Sequence, residues 1–170
     1  MMDYHSKLLM EGVKTLHNTF DVEIMTFQKK HTENELKVFE AVAKRFKREI
    51  YPAINPYSRF DGEDDEYIYE IKYRDKYYDP TMIEFDKYSF NLLYAKNTNR
   101  DFIYCVGLQL ENCFIVHIFN LTTLTRRNHD FGWEWRKLPQ TSHFDNNKKI
   151  DKFVGYMKIK EAIKSITVKE

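Results

Sequence analysis

Three residue types that together can hydrolyse a phosphate ester occur close together in the stretch DGEDDEYIYEIKYRD, Asp61 to Asp75. On a strand, residues two apart share a face. Ile68, Glu70, Lys72 and Arg74 are therefore expected on one face, and Tyr67, Tyr69, Ile71 and Tyr73 on the other. The second set is expected to pack, and the first to be largely polar. Asp61 ends the preceding strand, so an antiparallel hairpin brings it back beside Glu70. Two carboxylates suit a hard divalent cation such as Mg²⁺, with Mn²⁺ as a substitute, because such ions prefer oxygen ligands and keep several waters. The cation activates water and neutralises charge growing on the phosphorus centre. Lys72 adds a compact positive charge that orients the attacking water, and the backbone carbonyl of Ile71 is an additional ligand candidate. Asp64 and Asp65 stand in for Asp61 if the hairpin is shorter. The same residue types also decorate ordinary solvated hairpins, which leaves a bland surface reading open.

The chain that must position these groups has 170 residues, the length of one domain, with 42% hydrophobic residues, enough for a core. Scarce Gly and Pro, at 5 and 4, argue against disorder. The net charge of +1 does not announce a nucleic-acid binder. Local charge is uneven, however: Lys29–Arg48 and the tail from Lys148 are basic, and Asp61–Glu66 is acidic. An acidic pocket between basic surfaces suits a metal-dependent enzyme acting on a polyanion, although for any single charge run a solvated face is the simpler explanation, because surface charge needs no special cause. Cys105 and Cys113 lie in apolar runs outside any CxxC pair and read as buried free thiols. Neither a signal peptide nor an apolar run of spanning length is visible, so a cytoplasmic protein that does not enter the membrane is expected.

Helical spacing of Leu8, Leu9, Val13 and Leu16 predicts a short first helix, and Phe20–Phe27 a short strand or extended link. Thr32 followed by Glu35 is a capping box opening an amphipathic helix over Thr32–Ile50, with a stripe of Leu36, Phe39, Ala43, Phe46 and Ile50. Strands are predicted over about 57–61 and 66–74 with GEDD as their turn. A further helix is expected from Pro80-Thr81 to about Lys96, with Ile83, Lys87, Phe90, Leu93 and Tyr94 at helical spacing. FIYCVGLQL and NCFIVHIFNL read as a core hairpin. A hairpin-like excursion around Trp133 and Trp135, a strand over Phe153–Met157 and a helical turn from Lys160 complete an α+β chain, a central mixed β-sheet flanked by helices.

Asp61, eight intervening residues and Glu70-Ile71-Lys72 resemble the D-x(n)-(D/E)-x-K signature of the PD-(D/E)XK nuclease superfamily. The order helix, hairpin, helix, strand is similar to that superfamily's restriction-endonuclease-like αβββαβ core over roughly residues 32 to 110, leaving 111–170 as a C-terminal elaboration. YEIKYRDKYYDPTMIEFDKYSFNLL also looks like small proteins of bacteriophages and their hosts assigned there, which would place the chain in the host cytoplasm. The resemblance implies a Mg²⁺-dependent nuclease acting on DNA, with Asp61 and Glu70 on the metal, Lys72 on the water, and a helix glutamate assisting, for which Glu40 and Glu35 are candidates. It also suggests a homodimer, because cutting two strands takes two sites. Phe60 stands where the signature has proline, so one confirming mark is missing.

Outside this cluster, Lys87 lies on the apolar-spaced side of its helix and can reach a phosphate or simply snorkel. Arg74 and Lys76 extend the strand toward a nucleic-acid backbone or end it as exposed charges. The six histidines form no zinc pattern, and His117 reads as a core residue. No serine elbow or glycine-rich phosphate loop occurs. WEWRKLPQTSHFDNNKK interleaves aromatic and basic residues as base-stacking surfaces do, and as packed hairpins with polar edges also do. The competing functional reading is a non-catalytic nucleic-acid- or protein-binding module on a nuclease-like scaffold. Near-neutral charge and the C-terminal third favour it.

Overall fold

A computed structural model describes residues 32–53, 58–140 and 148–169. The expected first helix and the Phe20–Phe27 strand lie outside the described residues, as do the start of the predicted 57–61 strand and part of the aromatic–basic segment.

Helix α1 spans Glu33–Phe46 and opens with the capping box: Thr32 Oγ1 accepts from Glu35 N at 3.3 Å, and Thr32 N donates to Glu35 Oε2 at 3.0 Å. Lys47, in the left-handed conformation at φ 54°, ends it four residues before the predicted terminus. Its fully buried residues are Val38 and Val42, not the larger residues of the expected stripe, and Phe39, Ala43 and Phe46 only flank them. Closeness to the sheet explains the difference. A Cβ at Gly107 would lie 2.2 Å from Val38 Cγ2, so valine and glycine meet where helix and sheet approach most closely.

The chain continues through β1 (Tyr51–Pro52), β2 (Gly62–Glu63), β3 (Tyr67–Arg74), β4 (Thr81–Glu84), α2 (Phe85–Asn97), β5 (Asp101–Leu110), β6 (Cys113–Asn120), α3 (Leu121–Arg126), β7 (Glu134–Pro139), β8 (Lys149–Met157), a 3₁₀ turn (Ile159–Glu161) and β9 (Lys164–Lys169). The main sheet has the order β1-β2-β3-β5-β6-β9. Among the described strands only β3 and β5 pair in parallel, joined by the long crossover that parallel strands require. The fold is thus α+β around a mixed central sheet. Among the described residues no helix is long and apolar enough to cross a membrane.

The hairpin is displaced from its predicted register. GEDD is not the turn: Gly62 and Glu63 are the strand β2, and the reversal is at Asp64–Glu66. Asp64 builds it. Its Oδ1 accepts from Glu66 N and Tyr67 N, both at 2.8 Å, and its Oδ2 accepts from the Tyr69 hydroxyl at 2.7 Å. Side-chain capping of this kind is the ordinary role of aspartate in turns.

The helix expected from Pro80 begins instead at Phe85, because Thr81–Glu84 pairs as β4 with Val154–Met157 of β8. Thr81 and Ile83 alternate into the core at 2% exposure each, a strand period rather than a helical one. The predicted stripe fails with it. Phe90 and Leu93 are exposed, while Asn91 and Ala95 are buried.

The C-terminal third is integral to the architecture. β7 and β8 join β4 in a second sheet of order β4-β8-β7, and β9, where only a helical turn was expected beyond Lys160, pairs with β6 as the last strand of the main sheet. Two cores result. One packs α1 on Tyr69, Ile71, Ile103, Cys105, Val116 and Ile118. The other packs Ile68, Phe102, Tyr104 and Phe119 against Ala95 of α2 and Ile83 and Met157 of the second sheet. Cys105 is buried as expected, Cys113 only partly, and both are free thiols.

Candidate active site

The predicted alternation along β3 holds: Tyr69 and Ile71 face α1, and Ile68 faces the other core. The face carrying Glu70 is not polar, however. It is roofed by α2 and β4, and Glu70 is 1% exposed.

Asp61 precedes β2 directly. Its N–H donates to Tyr69 O at 2.7 Å and its carbonyl accepts from Ala53 N at 3.1 Å, which continues the pairing to both sides. Because Gly62 pairs with Tyr69, Asp61 stands opposite Glu70. Its own side chain then takes the next place in the ladder, Oδ2 accepting from Ile71 N at 2.7 Å, and it is 2% exposed. On an extended strand the N–H and C=O of one residue point to the same side, so the Ile71 carbonyl also points toward the Asp61 side of β3.

Glu70 is held by two lysines. Lys72 Nζ lies 2.9 Å and Lys87 Nζ 2.8 Å from the same oxygen, Oε1. The other oxygen, Oε2, is buried with no hydrogen-bond partner among the described residues. Burial, and then the neighbouring charge of Asp61, push the Glu70 carboxyl above the usual carboxylate range against the pull of the lysines. For Lys72, burial acts to lower the pKa, but the Glu70 and Asp61 charges outweigh it and hold the ammonium protonated above its ordinary value.

Lys87, placed by sequence as a phosphate contact, is thus part of the carboxylate cluster. It also donates to Arg59 O at 3.2 Å. Asn91, one turn further along α2, donates through Nδ2 to the same carbonyl at 3.2 Å, while its Oδ1 is buried without a partner among the described residues. α2 therefore fixes both carboxylates, Glu70 directly and Asp61 through the backbone two residues before it. Asn91 escaped the sequence reading. The signal was a polar residue four positions from Lys87 on what became the buried face.

Glu70, Lys72, Lys87, Arg74, Glu84 and Tyr104, with Met82 and Ile83, line a small cleft of about 30 Å³. Arg74 is half-buried there, and Lys76 lies exposed beyond the strand end. Glu40 does not join the site. It is exposed on α1, which packs on the opposite face of the sheet. Glu35 is occupied by the capping box. Asp64 is taken up by the turn, and Asp65 is exposed. A larger hollow of about 410 Å³, lined by His129, Phe131, Tyr156, Lys158 and Glu161 among others, contains none of the predicted site residues.

Among the described residues no three His, Cys, Asp or Glu side chains group as a metal-binding cluster. What is present is two buried carboxylates, one of which has an oxygen without a hydrogen-bond partner among the described residues, and the Ile71 carbonyl on the Asp61 side of β3. This all-oxygen set fits a hard cation that retains waters. No protein-family model, curated protein or solved structure matches the chain.

Proposed function

We propose that the protein is a Mg²⁺-dependent nuclease on a restriction-endonuclease-like αβββαβ core, hydrolysing phosphodiester bonds in DNA. The observation that carries this reading is the burial of Asp61 opposite Glu70 with Lys72 on the Glu70 carboxylate. The element order α1-β1-β2-β3, then α2-β5, with β4 inserted, supports the core assignment.

Asp61, Glu70 and the Ile71 carbonyl would hold the cation. When bound, it supplies a strong positive charge and a water acidified toward neutral pH, and Mn²⁺ would do the same. Lys72, kept protonated by its acidic neighbours, presents an N–H and a fixed charge to the attacking water and a phosphate oxygen. Lys87 neutralises Glu70 in the resting site and is positioned to offer its charge to the substrate instead. Arg74, on the cleft wall, suits a flanking phosphate. The roof of α2 and β4 keeps bulk water from Glu70 and so strengthens the action of the charges beside it.

A second reading has one observation behind it. Lys72 and Lys87 already neutralise Glu70 without a metal, as in a purely structural ion cluster, which suits a non-catalytic binding module. Cleavage of supercoiled, linear and single-stranded DNA with Mg²⁺ or Mn²⁺ separates the two. The nuclease reading expects metal-dependent cutting that is lost in Glu70→Ala and Lys72→Ala. Absence of cutting on every substrate, with DNA binding unchanged by Glu70→Ala, would leave the binding module. Dimerisation belongs to the nuclease proposal only if both strands of a duplex are cut together.

A further inference from the structure

Trp135 is 68% exposed, the most open of the large hydrophobic side chains of the described residues. An indole left in water on an edge strand is unusual unless something covers it. It does not stand alone. Trp135 pairs across the hairpin with Phe153, ring centroids 5.2 Å apart, and Phe153 lies 5.5 Å from Phe85, itself 40% exposed. Phe85 directly follows Glu84, a wall residue of the Glu70 cleft, and β8 is tied to that wall by Lys152 Nζ to Glu84 Oε1 at 2.9 Å. From Phe85, the first residue of α2, an aromatic row runs through Phe153 to Trp135 on the outer strand of the second sheet, on the face of β8 opposite Lys152.

Its charge selects the occupant. On the face that carries Trp135 and Phe153 the hairpin has Lys137 and Lys149 against Asp151, the cross-strand partner of Lys137, while Arg136 and Lys152 lie on the other face beside Glu134 and Glu84. Lys137, two positions from Trp135, shares its face of β7, and Lys149 lies on the same face of β8. Aromatic rings in series beside cations fit successive unpaired bases and their phosphates. Bases in a duplex are stacked on one another and have no open face to offer.

Resting on the nuclease reading of the cleft, we infer that Phe85, Phe153 and Trp135 form a stacking path for single-stranded nucleic acid, so that the substrate is a single strand or a duplex with an unpaired arm.

The test uses the Glu70→Gln protein, to separate binding from cutting, with a fluorescein-labelled oligothymidine and a blunt duplex of equal length. Anisotropy is expected to show tighter binding of the single strand, with quenching of tryptophan emission. Trp135→Ala should weaken single-strand binding roughly tenfold, Trp135→Phe should retain the affinity while losing the quench, and Lys137→Glu should reduce the salt dependence. Equal affinity for strand and duplex, no detectable single-strand binding, or binding indifferent to Trp135→Ala would each overturn the inference. Its failure is distinguishable from that of the nuclease reading. Metal-dependent cutting with no Trp135 effect sinks only the path, and Trp135-dependent binding without cutting on any substrate sinks only the nuclease.

Discussion

Lys87 reaches from α2 to the oxygen of Glu70 that Lys72 also holds, at 2.8 Å against 2.9 Å, so one buried carboxylate oxygen is shared by a strand lysine and a helix lysine. The contact joins the roof of the site to its floor. Replacing Lys87 with methionine leaves Glu70 buried with one cation and the like charge of Asp61. Removing one partner of a buried ion pair typically costs about 3 kcal/mol or more, so Lys87→Met should lower unfolding free energy in urea by that order. Adding Glu70→Gln should recover part of the loss. Additive effects in the double variant would show that the two residues are not coupled.

The direction of the Glu70 shift gives a pH signature. A carboxyl raised above its ordinary 4.5 contributes stability that is full below that value and is lost as pH rises through its folded-state value. The stability of the wild type relative to Glu70→Gln should therefore fall as pH rises from about 4.5. Lys72, also raised, acts in another window: its contribution is present below 10.5 and fades only as pH rises beyond it. Urea titrations of both proteins across this range check the sign, and a difference that grows with pH would refute it.

His117 carries the opposite slope. Its Nδ1 meets Ser165 Oγ at 2.8 Å across the β6–β9 pairing, and burial lowers its pKa below 6.5 despite the distant pull of Asp79. A depressed histidine supplies stability present above 6.5 and lost as pH falls through the folded-state value. The wild type should lose stability relative to His117→Gln as the solution is acidified below about 6.5. A flat difference would mean the ring takes up its proton as readily folded as unfolded.

Asn91 tests whether α2 positions the segment leading to Asp61. Asn91→Ala removes one hydrogen bond to Arg59 O, worth about 1 kcal/mol of stability. On the nuclease reading it should also raise the Mg²⁺ concentration needed for half-maximal cutting, and Asn91→Gln should restore part of that. An unchanged metal requirement would confine Asn91 to packing.

Gly107 reports on the fold itself. A methyl there would meet Val38 Cγ2 of α1 at 2.2 Å and Cζ of the Phe114 ring on β6 at 2.8 Å, so both neighbours must shift to admit it. Gly107→Ala should destabilise by about 2 kcal/mol, measured as a drop in the urea midpoint. A neutral substitution would mean α1 sits further from the sheet.

The parts legible in the sequence were those set by local chemistry. Thr32 and Glu35 marked the start of α1, the alternation through Tyr67–Arg74 assigned both faces of β3, and the apolar runs ending at Leu110 and beginning near Cys113 gave the core hairpin. The misread parts depended on remote partners. Thr81–Glu84 is a strand because β8 pairs with it, and β9 because β6 offers an edge, and neither partner is visible from within those segments. The same applies to the site. Spacing alone brought Asp61, Glu70 and Lys72 together, whereas the second lysine on Glu70 and the burial of the whole group depend on where α2 comes to rest. Glu40 was misplaced because a helix sequence does not say which face of the sheet it will cover.

The nuclease proposal requires the buried pair of Asp61 and Glu70 to hold one divalent ion, and calorimetric titration with Mn²⁺ tests this without relying on turnover. The wild type should bind one ion per chain, with binding abolished or strongly weakened in both Asp61→Asn and Glu70→Gln. An absence of binding by the folded wild type, or binding that survives both substitutions, would contradict it.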